Sequence, residues 1–231
     1  QSPRNYPLPV NSYILRNDTS DGNIVFTDVT QEVAPELMEI GMVTDATWTD
    51  FNGDGSLDLV IVGEWMPLTF LANVNGLFVD KTKDYKLEKT VGWWNTIIAE
   101  DFDNDGDMDF VAGNLGLNYK YKASEEESFD IYAADFDKNK KTDIVLGYYN
   151  DGEQYPVRGR QCSSQQIPVI ERKFKDYNSF AKADLVDIYS TKSLEDALHY
   201  QAYNFSSSYI ENLGDGKFKI TPLPNEAQFS S

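Results

Sequence analysis

The chain has 231 residues and a formal net charge of −18, with 38 acidic side chains against 20 lysines and arginines. That length is enough for a real hydrophobic core, with one domain as the expectation. The charge argues against nucleic acid, whose phosphates attract basic surfaces. No apolar run approaches the roughly 18 residues of a membrane span, and the single Cys162 allows no internal disulfide.

In chain order, the first element is the run SYILRN at 12–17, followed by a glycine-containing turn, Phe26 and Thr30. It recurs as LTFLAN at 68–73 before Phe78 and Thr82, and as SYIEN at 208–212 before Phe218 and Thr221. Asn and Gly supply the positive φ that tight hairpins require, so each copy predicts a two-stranded hairpin. Between these copies lies a second repeat, an acidic nonapeptide: DFNGDGSLD at 50–58, DFDNDGDMD at 101–109 and DFDKNKKTD at 135–143. Eleven of the 38 acidic residues fall inside these three stretches, so much of the acidity is local.

Oxygen side chains at positions 1, 3, 5 and 9, with glycine at 6 in the first two copies, describe a loop around a hard cation. Calcium takes six to eight oxygens at roughly 2.3–2.6 Å. The expected ligands are Asp50, Asn52, Asp54, the carbonyl of Ser56 and Asp58. In the second loop they are Asp101, Asp103, Asp105, the carbonyl of Asp107 and Asp109. The third set is Asp135, Asp137, Asn139, Lys141 and Asp143, with Lys140 in place of the turn glycine and Lys138 nearby. Those lysines predict a weak or vacant site. An EF-hand is excluded, because it needs a bidentate glutamate at position 12 and flanking helices. Position 12 here is Ile61, Ala112 and Leu146, and the flanks are β-branched and aromatic runs that predict strands.

A strand–calcium loop–strand unit ending in glycine (Gly63, Gly113, Gly147), alternating with the Asn–Gly–Phe–Thr hairpin, resembles the FG-GAP or VCBS repeat of integrin-like β-propellers. The resemblance covers about residues 12–150 and 207–223. It implies an all-β fold of four-stranded blades with calcium in the A–B loops. Its nearest likeness is to large FG-GAP-repeat proteins of the gram-negative bacterial surface, where the propeller is an adhesion or ligand-binding scaffold. By this pattern 12–30 is an outer hairpin alone, 44–82 a full blade, 94–125 a blade whose outer half has drifted, and 130–223 a blade with a long insertion. That is a partial propeller of about three and a half blades, whereas propellers close with four to eight. The whole chain, 1–231, is therefore read as one propeller portion of a longer protein, whose remaining blades or a partner subunit cover the open edges.

Residues 151–206 leave the repeat and read as partly helical. Pro168 sits in a helical first turn, and the run SLED at 193–196 approximates a capping box before a helix carrying His199. The insertion is read as a cap over the blade, with a binding element as the other reading. In an antiparallel blade the B–C and D–A connections share the face opposite the metals. Trp65, Trp93, Trp94, Tyr148 and Tyr149, with Arg158 and Arg160 at the edge, lie on those connections. Aromatic and arginine side chains of this kind form recognition surfaces. The condition is that at least three of the five rings be exposed and clustered; filling gaps between blades is the other role for such rings.

No catalytic residue is assigned. His199 is the lone histidine, Cys162 has no histidine nearby in sequence, and the paired carboxylates are accounted for as metal ligands. The expected function is a calcium-stabilised, non-catalytic scaffold that binds a glycan or a protein. The alternative is part of, or an accessory module to, a carbohydrate-active enzyme. Exposed calcium loops suit millimolar extracellular calcium, which points outside the cell, to a bacterial outer-membrane surface by the resemblance.

Overall fold

The computed structural model describes residues 6–229. In chain order, β1 (Leu15–Asn17) and β2 (Phe26–Asp28) lead into a helical turn, α1 (Thr30–Val33). Next come β3 (Met42–Thr49), β4 (Asp58–Met66), β5 (Thr69–Val74), β6 (Leu77–Asp80), β7 (Gly92–Trp93), β8 (Thr96–Glu100) and β9 (Asp109–Gly113). β10 (Phe129–Ala134), β11 (Asp143–Asn150) and β12 (Glu153–Pro156) precede a helical run: α2 (Arg160–Gln166), α3 (Val169–Lys173), α4 (Tyr177–Ala181), α5 (Leu185–Tyr189) and α6 (Thr191–Glu195). β13 (Leu198–Ala202), β14 (Ser208–Asn212) and β15 (Phe218–Pro222) follow.

The strands form antiparallel sheets ordered β3-β4-β5-β6, β15-β14-β9-β8 and β12-β11-β10-β13, beside the β1–β2 hairpin; β7 pairs with the far end of β4. The protein is mostly β, and no closed propeller is found among the described residues. The first sheet is the blade expected at 44–82. The second corrects the sequence reading. The hairpin at 208–222 completes the sheet of the second acidic loop, with Ser208 opposite Ala112 and Ile210 opposite Phe110. The third sheet is finished instead by β12 against β11 and β13 against β10. The outer half of 94–125 had not drifted; it lies a hundred residues downstream.

The chain divides into two compact units, one of Leu8–Tyr119 with the segment from Phe205 onward, the other of Lys120–Asn204. The sequence reading had one unit, 1–231, with an insertion at 151–206; the inserted unit begins earlier and brings the third loop with it. In the first unit, alternate residues of β4 serve two cores. Val60 and Val62 pack with Phe70, Trp94, Phe110 and Ile210, while Leu59 and Ile61 pack with Ala34, Leu37 and Leu71. Period-two alternation puts successive side chains on opposite faces, so a strand apolar throughout is one covered on both sides. Each such fully buried side chain contributes about 1.5–3 kcal/mol. Gly63 sits where a Cβ would stand 2.3 Å from the Met42 carbonyl oxygen, so the blade-ending glycine is required by strand contact.

In the second unit the helices lie on the sheet: Ile167, Ile170, Phe180, Leu185 and Ile188 bury against Tyr132 and Val145. This is the cap expected from the sequence. Asp176, Asp184 and Ser190 cap α4, α5 and α6 by accepting from the backbone N–H three residues on. Pro168 stands at the N-cap of α3. The helix expected after Asp196 is absent. Leu198–Ala202 is the strand β13, and His199 stacks on Tyr132 at 4.2 Å and meets Asp130 Oδ1.

Candidate metal centres

Each acidic loop joins two neighbouring strands of its sheet, β3–β4, β8–β9 and β10–β11, and all three close by the same set of backbone bonds. The N–H at position 5 donates to the carboxylate at position 1, as Asp54 to Asp50, Asp105 to Asp101 and Asn139 to Asp135. The same N–H donates to the side-chain oxygen at position 3. The N–H at position 6 reaches the other oxygen of position 1, and that at position 7 reaches position 5. Finally the N–H at position 2 donates to the carboxylate at position 9: Phe51 to Asp58, Phe102 to Asp109, Phe136 to Asp143. Backbone amides thus aim one carboxylate oxygen after another into the loop.

The outcome is convergence. Asp101, Asp103 and Asp109 bring one carboxylate oxygen each within 4.8 Å of one another, and so do Asp135, Asp137 and Asp143. Three hard anionic oxygens converging on a small space, the third anchored in the sheet, match the donor chemistry of a hard cation such as calcium. Either triad could therefore hold a metal ion. The first loop has the same hydrogen bonds, with the Asn52 amide oxygen in place of the second carboxylate. Asp50, Asp54 and Asp58 form no such triad among the described residues, so the expected set of Asp50, Asn52, Asp54, Ser56 and Asp58 rests on the sequence pattern. Asp105 and Asp107 stand at the rim of the second loop; the Asp107 carboxylate faces Gly214.

The third loop is not distorted by its lysines. Lys138 and Lys140 adopt φ of 64° and 68°, where the second loop has Asn104 at 63° and Gly106 at 99°. Lys140 takes a left-handed conformation that costs a side-chain-bearing residue about 1 kcal/mol or more. Among the described residues neither Lys138, Lys140 nor Lys141 pairs with a carboxylate of the triad, so no ammonium replaces the ion.

The position-9 carboxylates are buried in all three loops, and their surroundings differ. Asp58 Oδ1 accepts from Asn73 N–H at 2.7 Å; burial still pushes this carboxyl above its ordinary value, with Asp54 and Asp50 adding repulsion. Asp109 Oδ1 accepts from Asn212 N–H at 2.8 Å and Oδ2 from the Tyr209 hydroxyl at 2.6 Å. Asp143 has no strand C asparagine beside it. Burial pushes it up to about 6, against the Phe136 N–H and the amide of Gln166, which pull it down. A carboxyl so raised favours the protonated loop below about pH 6, and a bound cation would reverse that preference.

Sequence reading missed Asn73, Asn212 and Tyr209 as partners of the metal carboxylates. The signal was present in the Asn of the hairpin repeat, which was assigned only to the turn. Asn73 and Asn212 do both: their side chains accept from Gly76 and Gly214 N–H in the turn and donate to Leu57 and to Phe51 and Met108 carbonyls.

The expected ligand face does not meet its condition, since none of the five rings is exposed. Trp65 is buried at a bulge where β4 changes partner, with φ of 59°, and lies 5.1 Å from half-buried Trp93. Trp94 is fully buried in the core, its indole N–H donating to the Thr90 carbonyl. Tyr148 and Tyr149 are half-buried, and burial raises the Tyr149 hydroxyl. Arg160 is occupied at the end of α3, donating to the carbonyls of Phe174, Glu171 and Lys175. Arg158 is exposed and donates to Gln166. The tryptophans belong to the first unit and the remaining four residues to the second.

The sheets are antiparallel and four-stranded, and acidic loops, two of which could hold a metal ion, join neighbouring strands. Residues 50–112 match the family model described as FG-GAP-like repeat, so the chain contains one such repeat, running from the first acidic loop through the strand after the second. No curated protein and no solved structure matches the chain.

Proposed function

We propose that the chain is a calcium-stabilised binding scaffold, working outside the cell at a bacterial surface, that recognises a glycan or a protein without chemical turnover. The observation that carries this reading is the shared set of backbone bonds, which gives three different sequences the same loop above a buried position-9 aspartate, two of them with converging carboxylates. A cation there screens repulsion that the loops otherwise bear unaided. Calcium as the ion, and the first two loops as its stronger sites, follow from the donor sets; the third is weaker because Lys138, Lys140 and Lys141 bring positive charge to it. The outer edges of the sheets, at β6, β8 and β15, carry unpaired backbone. Further blades or a partner subunit covering them would remove the hazard that such edges present.

Calorimetric titration of calcium into the chelated chain, read with its melting curve, tests this. Two tighter sites and one weaker, with a melt that rises on calcium addition, are expected. Melting that is identical in chelator and in millimolar calcium would remove the scaffold reading. Shortened products from an oligosaccharide incubated with the chain would replace the non-catalytic one.

A further inference from the structure

The second unit contains a concave site that no loop carboxylate lines. Its cavity, about 330 Å³, is bordered by Lys120, Tyr121, Tyr148, Tyr155, Arg158 and Tyr177. That volume lies within the range of small-ligand sites. The Tyr121 and Tyr148 rings lie 4.5 Å apart, tilted by 46°, and Tyr155 follows 6.4 Å from Tyr148, tilted by 41°, so that the three rings line one side of the cavity. Tyr177 stands at the rim, 64% exposed. Among the described residues, the hydroxyls of Tyr148, Tyr155 and Tyr177 have no hydrogen-bond partner.

The charge of the cavity runs against that of the chain. Acidic residues outnumber lysine and arginine 38 to 20 overall, yet two cations here have no carboxylate partner among the described residues. Lys120 Nζ lies 5.0 Å from the centre of the Tyr121 ring. Arg158 donates from one nitrogen to the neutral Gln166 amide, and its other N–H groups have no hydrogen-bond partner among the described residues. Arg160 does not count with them, because its guanidinium is engaged by carbonyls and lies 3.8 Å from Glu171.

We propose that this cavity binds an anionic saccharide, with sugar C–H faces on the tyrosine wall, sugar hydroxyls on the free phenols, and a carboxylate or sulfate held by Lys120 and Arg158. This deepens the binding reading above and rests on it. Flat rings offer contact area at low entropic cost, and their polar edges bond to hydroxyls. Arginine and lysine give directed, charge-assisted bonds to an anionic group. The net charge of −18 repels dense polyanions, so the charges on the ligand are sparse, about one for each sugar or two.

The test uses the full chain in millimolar calcium, titrated calorimetrically with hyaluronan tetrasaccharide, chondroitin sulfate tetrasaccharide and neutral chitotetraose. At least one charged probe should bind at one site per chain, and comparing the two separates carboxylate from sulfate as the recognised group. Chitotetraose should bind at least about tenfold more weakly. The double variant K120Q/R158Q should weaken the charged probe about tenfold or more for each cation lost. Tyr177→Ala should weaken all sugars. These three side chains are exposed, so melting and circular dichroism should stay at the level of the unsubstituted chain. Equal binding of chitotetraose, or full binding by the double variant, overturns the cavity assignment and leaves a binding scaffold with its site elsewhere. Failure of every charged probe, with calcium still raising the melt, overturns the saccharide alone; failure of both ends the binding reading too.

Discussion

In the second acidic loop, Asp109 is buried and receives three donors, the N–H groups of Phe102 and Asn212 and the hydroxyl of Tyr209. In the third, Asp143 is just as buried but sits at the end of a sheet with no strand C asparagine, and its carboxyl is pushed up to about 6. The loops themselves close by the same bonds. The difference therefore lies outside the nonapeptide, in what the neighbouring strand brings to position 9. A buried carboxylate clamped by N–H and O–H donors has part of its charge solvated by the protein itself. One that is buried with fewer donors depends more on a cation, or on a proton, for its neutralisation.

Removing calcium should have the largest effect, and it should fall unevenly. Each occupied site adds about 2.7 kcal/mol at a hundredfold excess over its Kd. The first unit carries two of the loops, so chelation should lower its melting by on the order of 10 °C. Scanning calorimetry with hydrogen exchange at 50–58, 101–109 and 135–143 would show which loops open, and equal opening of all three would erase the contrast.

Asp109→Ala against Asp143→Ala comes next. The first change orphans the half-buried Tyr209 hydroxyl and two backbone donors and should cost about 3 kcal/mol, even in chelator. The second also relieves a poorly solvated carboxylate, so in chelator it should cost much less. Urea denaturation of both variants would decide, and similar losses would mean that the strand C donors contribute little.

Asn212→Ala should then cost more than Asn73→Ala, roughly 1–2 kcal/mol against under 1. Asn212 is buried and its amide bridges the Phe51 and Met108 carbonyls, whereas the Asn73 side chain donates to a single carbonyl. The reverse order would place the clamp in the backbone alone. The smallest net stability change belongs to Lys140→Gly, because relief of a left-handed side chain, about 1 kcal/mol, is largely offset by the extra chain entropy that glycine loses on folding. It also removes one repelling charge, so calcium affinity at the third loop should rise severalfold. An unchanged third site would show that lysine charge does not set its strength.

What could be read from the sequence was local. The loops, their strands, the first full blade and the lone 12–30 hairpin all depend on residues a few positions apart, and the structure has them where spacing put them. The hairpin at 208–222 could not be assigned in the same way, because its partner β9 lies across the whole second unit. Its pattern reads as the outer half of the blade at 130–223, whereas Tyr209 and Asn212 meet Asp109 of the second loop. The segment after Asp196 was misread because the Ser193–Asp196 spacing suggested a cap, whereas Ser190 is the cap and β13 follows the helix. Exposure of the tryptophans was not readable at all. Trp65 is turned inward by a bulge and a positive φ, and neither has a local signature in a tryptophan.

The placement of the second unit between β9 and β14 has a consequence for how the chain is made. When the ribosome has delivered β8, the second loop and β9, the strand that clamps Asp109 has not yet been synthesised. The open edge of β9 and an unclamped carboxylate must wait until Lys120–Asn204 has emerged. That unit is built largely from contacts within itself and can fold while the edge waits. Once folded, it shortens the effective loop that β14 must close, and the entropic cost of closure rises only slowly with length. The second calcium loop, continuous in sequence, would thus be among the last parts of the molecule to mature, and its final bonds join residues about a hundred positions apart.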